Sequence, residues 1–131
     1  MSLVRRLLDG GWSIDNSVGA ITYFSTDDEG LPRLHTTELS RVDEVLAALD
    51  RIELQGSYFA MELSWDNTES VIRFGVNSPK VGQVQISAIH GRHQLAGVEP
   101  LTDHNWYIVR LLPLIFKGGW ELTSIGWYEA G

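Results

Sequence analysis

The sequence predicts a single α+β domain spanning residues 1–131, with an antiparallel β-sheet of about six strands packed against two or three helices. Three observations support this prediction. The chain has 131 residues, close to the commonest size for one hydrophobic core. It is 44% hydrophobic and 21% charged, so enough apolar surface exists to offset the entropy lost on folding. Apolar residues recur with a period of two in some stretches and at helical spacing in others.

The N-terminal stretch predicts a short helix followed by a β-hairpin. The pair Gly10-Gly11 ends the helix, and extended chain begins at Trp12. Residues 18–25 and 31–36 are rich in β-forming side chains, and the sequence Asp27-Asp28-Glu29-Gly30 between them is typical of a turn. The helical apolar positions are Leu3, Val4, Leu7 and Leu8.

Residues 41–54 predict the clearest helix of the chain. Ser40 is in position to cap it, and Asp43 lies near the positive end of the helix dipole. Gly56 ends it. One apolar stripe runs along this helix: Val42, Val45, Leu46, Leu49 and Ile52.

Residues 58–65, 70–76 and 81–90 predict three further strands, connected as a meander. The turn formers Asp66-Asn67 and Asn77-Ser78-Pro79 separate them. Alternation places one set of apolar residues on a shared face, which we expect to cover the 41–54 helix. That set is Phe59, Met61, Leu63, Trp65, Ile72, Phe74, Val76, Val84, Ile86 and Ala88. The opposite positions are mostly polar, as in a sheet with one wetter face.

Residues 92–101 contain a glycine and a proline and predict a loop. Thr102 or Asp103 then caps a helix that runs through Tyr107 and Leu111. Because proline lacks the amide donor and clashes with the preceding turn, we expect Pro113 to kink or break this helix.

The chain is expected to finish with a strand at residues 120–128, after the pair Gly118-Gly119. Tryptophan serves both cores and binding surfaces. We expect Trp12, Trp106 and Trp120 in the core, whereas Trp65, at a strand end beside an acid, is a candidate surface residue.

The composition excludes several classes of protein. The chain has no cysteine, which rules out disulfides, thiolate metal sites and a cysteine nucleophile and agrees with a reducing compartment. Its most apolar stretch, residues 106–116, is too short to cross a bilayer as a helix. The first residues lack the apolar core of a signal peptide. A cytoplasmic location is therefore expected.

The charge is lopsided. The formal net charge is −7, which argues against nucleic acid or an anionic membrane as the main partner. Residues 27–69 hold eleven acids and three bases, a net charge of −8, and the remaining residues carry +1. Two interpretations stay open: a solvated surface that keeps the protein soluble, or an acidic face for a basic partner.

The sequence contains no recognisable catalytic motif. His90 and His93 are close together but lack the spacing of a metal site with a third ligand. His104 beside Asp103 lacks a nucleophile elbow, and no glycine-rich phosphate loop is present. We therefore predict a protein that is not an enzyme and that binds no metal or cofactor.

Two stretches resemble a family of small immunity proteins from bacterial polymorphic toxin systems. The first is residues 42–54 followed by Tyr58-Phe-Ala-Met-Glu-Leu and Ser70-Val-Ile-Arg-Phe-Gly-Val. The second is the ending Phe116-Lys-Gly-Gly-Trp-Glu-Leu-Thr-Ser-Ile-Gly-Trp127, although the family's proline between glycine and tryptophan is absent. The resemblance implies a protein that binds and blocks a cognate toxin, often a nuclease or deaminase.

The resemblance and the charge together predict a partner-binding surface for a basic toxin. Its residues are Asp27, Asp28, Glu29, Glu44, Asp50, Trp65, Asp66 and Glu69. The alternative is a small α+β domain that binds or turns over a small molecule in an apolar pocket lined by Trp106 and Tyr107. A self-assembling module with a large apolar interface is a third possibility.

Overall fold

A sheet six strands wide, with three helices on one face, forms the centre of the molecule. The structure is a computed structural model, and it describes residues 2–15, 19–66, 68–78, 83–116 and 124–128. The helices are α1 (Leu3–Asp9), α2 (Val42–Gln55) and α3 (His104–Phe116). The strands are β1 (Trp12–Ile14), β2 (Ala20–Thr26), β3 (Pro32–Glu38), β4 (Phe59–Trp65), β5 (Val71–Ser78), β6 (Gln83–His90), β7 (Gln94–Leu95), β8 (Val98–Thr102) and β9 (Ser124–Tyr128). The predicted α+β class is confirmed.

The strands of the main sheet follow the order β3-β2-β4-β5-β6-β9. β1 also pairs with β4, through Trp12–Trp65 to Ile14–Leu63, while β2 pairs with the first half of β4, from Ser25–Phe59 to Tyr23–Met61. β1 and β2 therefore share one side of β4, and seven strands make a sheet six strands wide. The predicted hairpin and meander are both present, because β2–β3, β4–β5 and β5–β6 are antiparallel neighbours.

The alternation of side chains predicts the buried face correctly. The register sets Met61 beside Phe74 and Phe74 beside Ile86, so these side chains form one continuous layer. Nine of the ten residues expected on this face are buried, and Trp65 is partly buried and packs against them. The opposite face carries Glu62 and Arg73, which form an ion pair at 3.0 Å. The sheet thus buries one face and leaves the other uncovered by the described helices.

All three helices contribute side chains to the single core. The predicted α2 stripe is confirmed, with Val45, Leu46 and Leu49 buried and the other two positions partly buried. α1 and α3 add to the same cluster the residues Leu3, Val4, Leu7, Tyr107, Leu111 and Ile115. The sequence predicted only the 41–54 helix on this face, and the structure adds α1 and α3 to it.

The helix ends confirm some predicted caps and correct one. The Asp103 carboxylate accepts a hydrogen bond from the Trp106 amide at 3.3 Å, as expected at the start of α3. Gly56, with φ of 72°, ends α2 in the left-handed conformation that glycine adopts at least cost. The Ser40 cap is wrong, because Leu39–Arg41 forms a 3₁₀ turn that moves Ser40 away from the capping position.

The C-terminal region differs from the prediction in three ways. The expected loop at 92–101 holds the two short strands β7 and β8, which pair antiparallel. Of the kink or break expected at Pro113, the break is absent, because α3 continues as a helix to Phe116. Pro113 and Val109, whose carbonyl loses its donor, both lie on the exposed side, where that carbonyl can bond to water instead. Finally, β9 is parallel to β6, because the chain returns to the sheet through a helical crossover.

Some predicted features lie outside the described residues. These are Val18 at the start of the predicted 18–25 strand, residues 81 and 82 at the start of the predicted 81–90 strand, the glycine pair at 118–119, Trp120 and the start of the last strand, and Asn67 and Pro79 in the predicted turns.

We predict that Phe74→Ala lowers the free energy of unfolding by about 3–5 kcal/mol, because it opens a cavity in the fully buried layer. Phe24→Ala is the matched control. Phe24 lies on the uncovered face under the Arg73 guanidinium, 4.7 Å from its ring centroid, and its loss should cost about 1 kcal/mol. Urea unfolding of the three proteins measures both values. Equal losses would contradict the one-sided core.

Candidate functional site

The β2–β3 turn is held in shape by one carboxylate. Asp27 Oδ1 accepts hydrogen bonds from the amides of Glu29 and Leu31, each at 2.9 Å. Its other oxygen, Oδ2, accepts from Arg33 Nε at 2.7 Å. The Leu31 amide and the Arg33 side chain hold the pKa of Asp27 below its ordinary value. Asp27 is therefore committed to the turn.

The acids beside Asp27 are free to act outward. Asp28 and Glu29 are exposed, and neither forms an ion pair with a described residue. We call residues Asp27–Gly30 the acidic turn. Gly30, with φ of 81°, closes it through an amide donated to the Asp27 carbonyl at 3.0 Å. The arrangement presents two carboxylates, with no ion-pair partner among the described residues, on a turn that is held by its own hydrogen bonds.

The acids of α2 are less available than the sequence suggested. Glu44 is exposed but forms an ion pair with Arg41 at 2.6 Å. Asp50 accepts from Arg5 of α1 at 2.9 Å. Glu53, which was not predicted as a functional residue, accepts the Leu3 amide at 2.9 Å, and burial raises its pKa. Asp50 and Glu53 are three positions apart and so lie on the same side of the helix, where they attach α1 to α2.

Asp66 and Glu69 are exposed at the other end of the sheet. They follow β4, whereas the acidic turn lies beyond Ser25, which pairs with the first residue of β4. At about 3.3 Å per residue, the seven residues of β4 separate the two acidic groups by about 20 Å. The structure therefore does not bring all the predicted site residues together on one face.

Trp65 is partly buried and belongs to an aromatic cluster. Its ring packs edge-on against Trp12 with 5.1 Å between centroids, and against Trp106 at 6.3 Å. The Arg110 guanidinium lies 4.0 Å from the Trp106 centroid and 5.3 Å from the Trp65 centroid. Trp12 is buried, as predicted, and its indole N–H donates to the Arg110 carbonyl at 3.0 Å.

His93 completes this cluster. Its ring is stacked on Trp106, with 3.5 Å between centroids and 13° between planes. Two planar groups cannot share one ring face at such distances, so His93 and Arg110 lie on opposite faces of Trp106. Burial, and then the nearby Arg110 charge, lower the pKa of His93, while Asp103 opposes them. The His93 amide donates to the Tyr107 hydroxyl at 3.0 Å.

The side chains of Trp106 and Tyr107 pack against each other and against His93. Tyr107 is fully buried, and its ring lies 4.9 Å from that of Trp106. A concave surface with a volume of about 560 Å³ lies between β3 and α2, away from this cluster. We call it the β3–α2 groove. Its lining residues are Tyr23, Leu34, His35, Thr36, Thr37, Arg41, Glu44, Val45 and Arg51.

Comparisons with protein-family models, curated proteins and solved structures find no match to this chain. Within the described residues, no group of three or more His, Asp or Glu side chains is arranged to hold a metal ion. None of the described helices has the length and apolar content needed to span a membrane. The acidic turn and the β3–α2 groove are the candidate functional surfaces of the described residues.

We predict that His93 makes stability depend on pH. Its folded pKa lies below the ordinary value of 6.5, so the unfolded chain binds the proton first. The neutral ring's contribution is complete above pH 6.5 and is lost as pH falls through the folded pKa. The urea midpoint should decrease between about pH 7.5 and 5.5. The variant His93→Phe keeps a planar ring on Trp106, and its urea midpoint should decrease less over the same pH range. If the midpoint depended on pH equally in both proteins, this role of His93 would be contradicted.

Proposed function

We propose that this protein is a non-catalytic inhibitor that binds a cognate bacterial toxin in the producing cell, with the acidic turn as its main contact. The observation that supports this proposal most directly is the state of the turn. Asp27 is bonded to two amides and an arginine, while Asp28 and Glu29 are exposed and have no ion-pair partner among the described residues. A contact surface fixed before binding loses less entropy on association.

The charge of the acidic turn suits a basic partner. Toxins that act on nucleic acid carry positively charged sites, because they must neutralise phosphates. Exposed carboxylates attract such a surface over a range of about 8–10 Å at moderate ionic strength and raise the rate of productive encounter. Residues 27–69 carry the excess negative charge of the chain, and the turn stands at their beginning.

Apolar contact area is available next to the turn. Leu31 is 52% exposed and Leu34 is 59% exposed. Leu31 follows the acidic turn directly, and Leu34 lies three residues further along the chain, about 10 Å away in extended conformation. Interfaces commonly combine an apolar centre with a charged rim. We therefore extend the proposed contact from the acidic turn to these two leucines and leave Asp50 and Glu53 in their structural role.

The proposal predicts which acids set the association rate. The test uses the protein encoded immediately upstream as the candidate toxin. The double variant Asp28→Asn/Glu29→Gln should slow association about three- to tenfold at low salt, because it removes two steering charges. The unfolding free energy should stay within about 0.5 kcal/mol, because exposed charges add little to stability. Stopped-flow or surface-based kinetics measures the rate.

The matched control is Asp66→Asn/Glu69→Gln, which changes the net charge equally at the opposite end of the sheet. It should leave the association rate within about twofold, since steering by exposed charges weakens beyond a Debye length. Equal slowing of association by both variants would contradict a contact at the acidic turn but would not contradict the proposal that the protein is an inhibitor. An upstream protein that is harmless and is not bound would contradict the inhibitor itself.

A further inference from the structure

The outer side of β3 is open. β3 stands at one end of the strand order, and among the described residues only β2 pairs with it. Five of its seven residues are exposed. An open edge offers a row of backbone donors and acceptors to another strand. Many proteins blunt such an edge by making it short or by covering it. β3 is seven residues long, and no other described strand pairs with its outer side along Leu34–Thr37.

The hydrogen bonds of the hairpin show which backbone groups point outward. The Asp27 amide donates to the Leu31 carbonyl at 2.9 Å, which makes this a hydrogen-bonded pair. Such pairs recur at every second position of an antiparallel ladder. With the register Ser25–Arg33 and Tyr23–His35, Arg33, His35 and Thr37 bond to β2. Pro32 then falls at an outward position, where its missing amide costs nothing.

The outward amides are therefore those of Leu34, Thr36 and Glu38. Their side chains lie on the uncovered face of the sheet, because Leu34 pairs with Phe24 and Phe24 pairs with Ala60. The alternate residues have their side chains on the face of α2. A strand added to this edge would in the same way direct every second side chain toward α2.

The β3–α2 groove lies along this edge. Four consecutive residues of β3, Leu34 to Thr37, line it. Consecutive residues of a strand point to opposite faces, so a groove lined by all four must run along the strand's backbone edge. α2 supplies the facing wall through Arg41, Glu44, Val45 and Arg51. The groove thus combines a row of free backbone groups with a helical wall.

The charge of the α2 wall favours an acidic side chain in the groove. Arg41 is neutralised by Glu44. Arg51 is exposed and forms no ion pair or hydrogen bond with a described residue. His35 bonds to Ser25 Oγ at 2.7 Å and stacks on Tyr23 at 4.6 Å, which fixes the groove side of β3. An unpaired guanidinium in a polar groove is complementary to a carboxylate.

We propose that the β3 edge binds an extended peptide segment of a partner protein, added as a further strand, with an acidic side chain directed into the β3–α2 groove toward Arg51. Main-chain hydrogen bonds to Leu34 and Thr36 supply affinity, and the groove supplies selectivity, as in other cases of strand addition. The inference does not require the partner to be a toxin. It shares Leu34 with the proposed toxin contact but does not involve the carboxylates of Asp28 and Glu29.

The test uses a phage-displayed library of random peptides slightly longer than β3, selected on the wild-type protein. We expect enriched sequences with an acidic residue among β-forming residues. Binding of the synthesised peptide should slow amide exchange at Leu34 and Thr36 in the wild-type protein. Thr36→Pro removes an outward amide and should weaken binding about tenfold, whereas Thr36→Val keeps that amide and should stay within about twofold.

Arg51→Gln is a second variant, at an exposed helix position where misfolding is not expected, and it should weaken binding about threefold. Replacing the peptide's acidic residue by its amide should weaken binding to the wild-type protein to the same extent. The same replacement should not weaken binding to Arg51→Gln any further. Failure to enrich any peptide would overturn the proposal, as would peptides that leave the Leu34 and Thr36 amides unprotected. Asp28→Asn/Glu29→Gln should bind the peptide normally, so this result is independent of the toxin test.

Discussion

The rest of the structure depends on the burial of one face of the sheet under three helices. β4 lies at the centre of this contact, because it pairs with β1, β2 and β5 and sends Phe59, Met61 and Leu63 into the core. Burial of these alternate positions sets the strand register, since a shift by one residue would expose all of them. It also leaves the other face uncovered by the described helices. The positions of the acidic turn and of the β3–α2 groove follow from that register.

The acidic side chains of this protein form two groups, one that stabilises the fold and one that is exposed to solvent. Asp27 fixes a turn, and Asp50 and Glu53 attach α1 to α2 through Arg5 and the Leu3 amide. These carboxylates have their partners within the chain and are poor candidates for a second contact. Acids without such partners, at the acidic turn and after β4, are the ones that shape the field around the protein. Net charge alone does not separate the two groups.

Local sequence patterns predicted the elements whose structure depends on the burial of their own side chains. The alternation in β4, β5 and β6 and the stripe of α2 report burial directly, so these elements and their buried faces were predicted correctly. The Ser40 cap failed because the 3₁₀ turn at Leu39–Arg41 competes with it. Pro113 stays helical because of its position on the solvent side of α3, which depends on how α3 packs.

The candidate site was less predictable for a related reason. Residues 27 and 66 are far apart in sequence, and only the pairing of β2 with β4 places them at opposite ends of the sheet. The ion pair of Asp50 with Arg5 joins two helices whose contact no local pattern reveals. The open edge of β3 is likewise a property of strand order. Sequence composition indicated the acids, and tertiary structure decides which of them are available.

The attachment of the β2–β3 hairpin has a consequence for native-state fluctuations. Only three residue pairs, from Tyr23–Met61 to Ser25–Phe59, join the hairpin to β4, whereas β4–β5 and β5–β6 pair over six or more positions. An element with so few ladder pairs can open locally at a cost well below that of global unfolding. The hairpin therefore forms a low-stability cooperative unit on a more rigid meander. The acidic turn and the β3 edge belong to this unit, whereas the α2 wall of the groove does not.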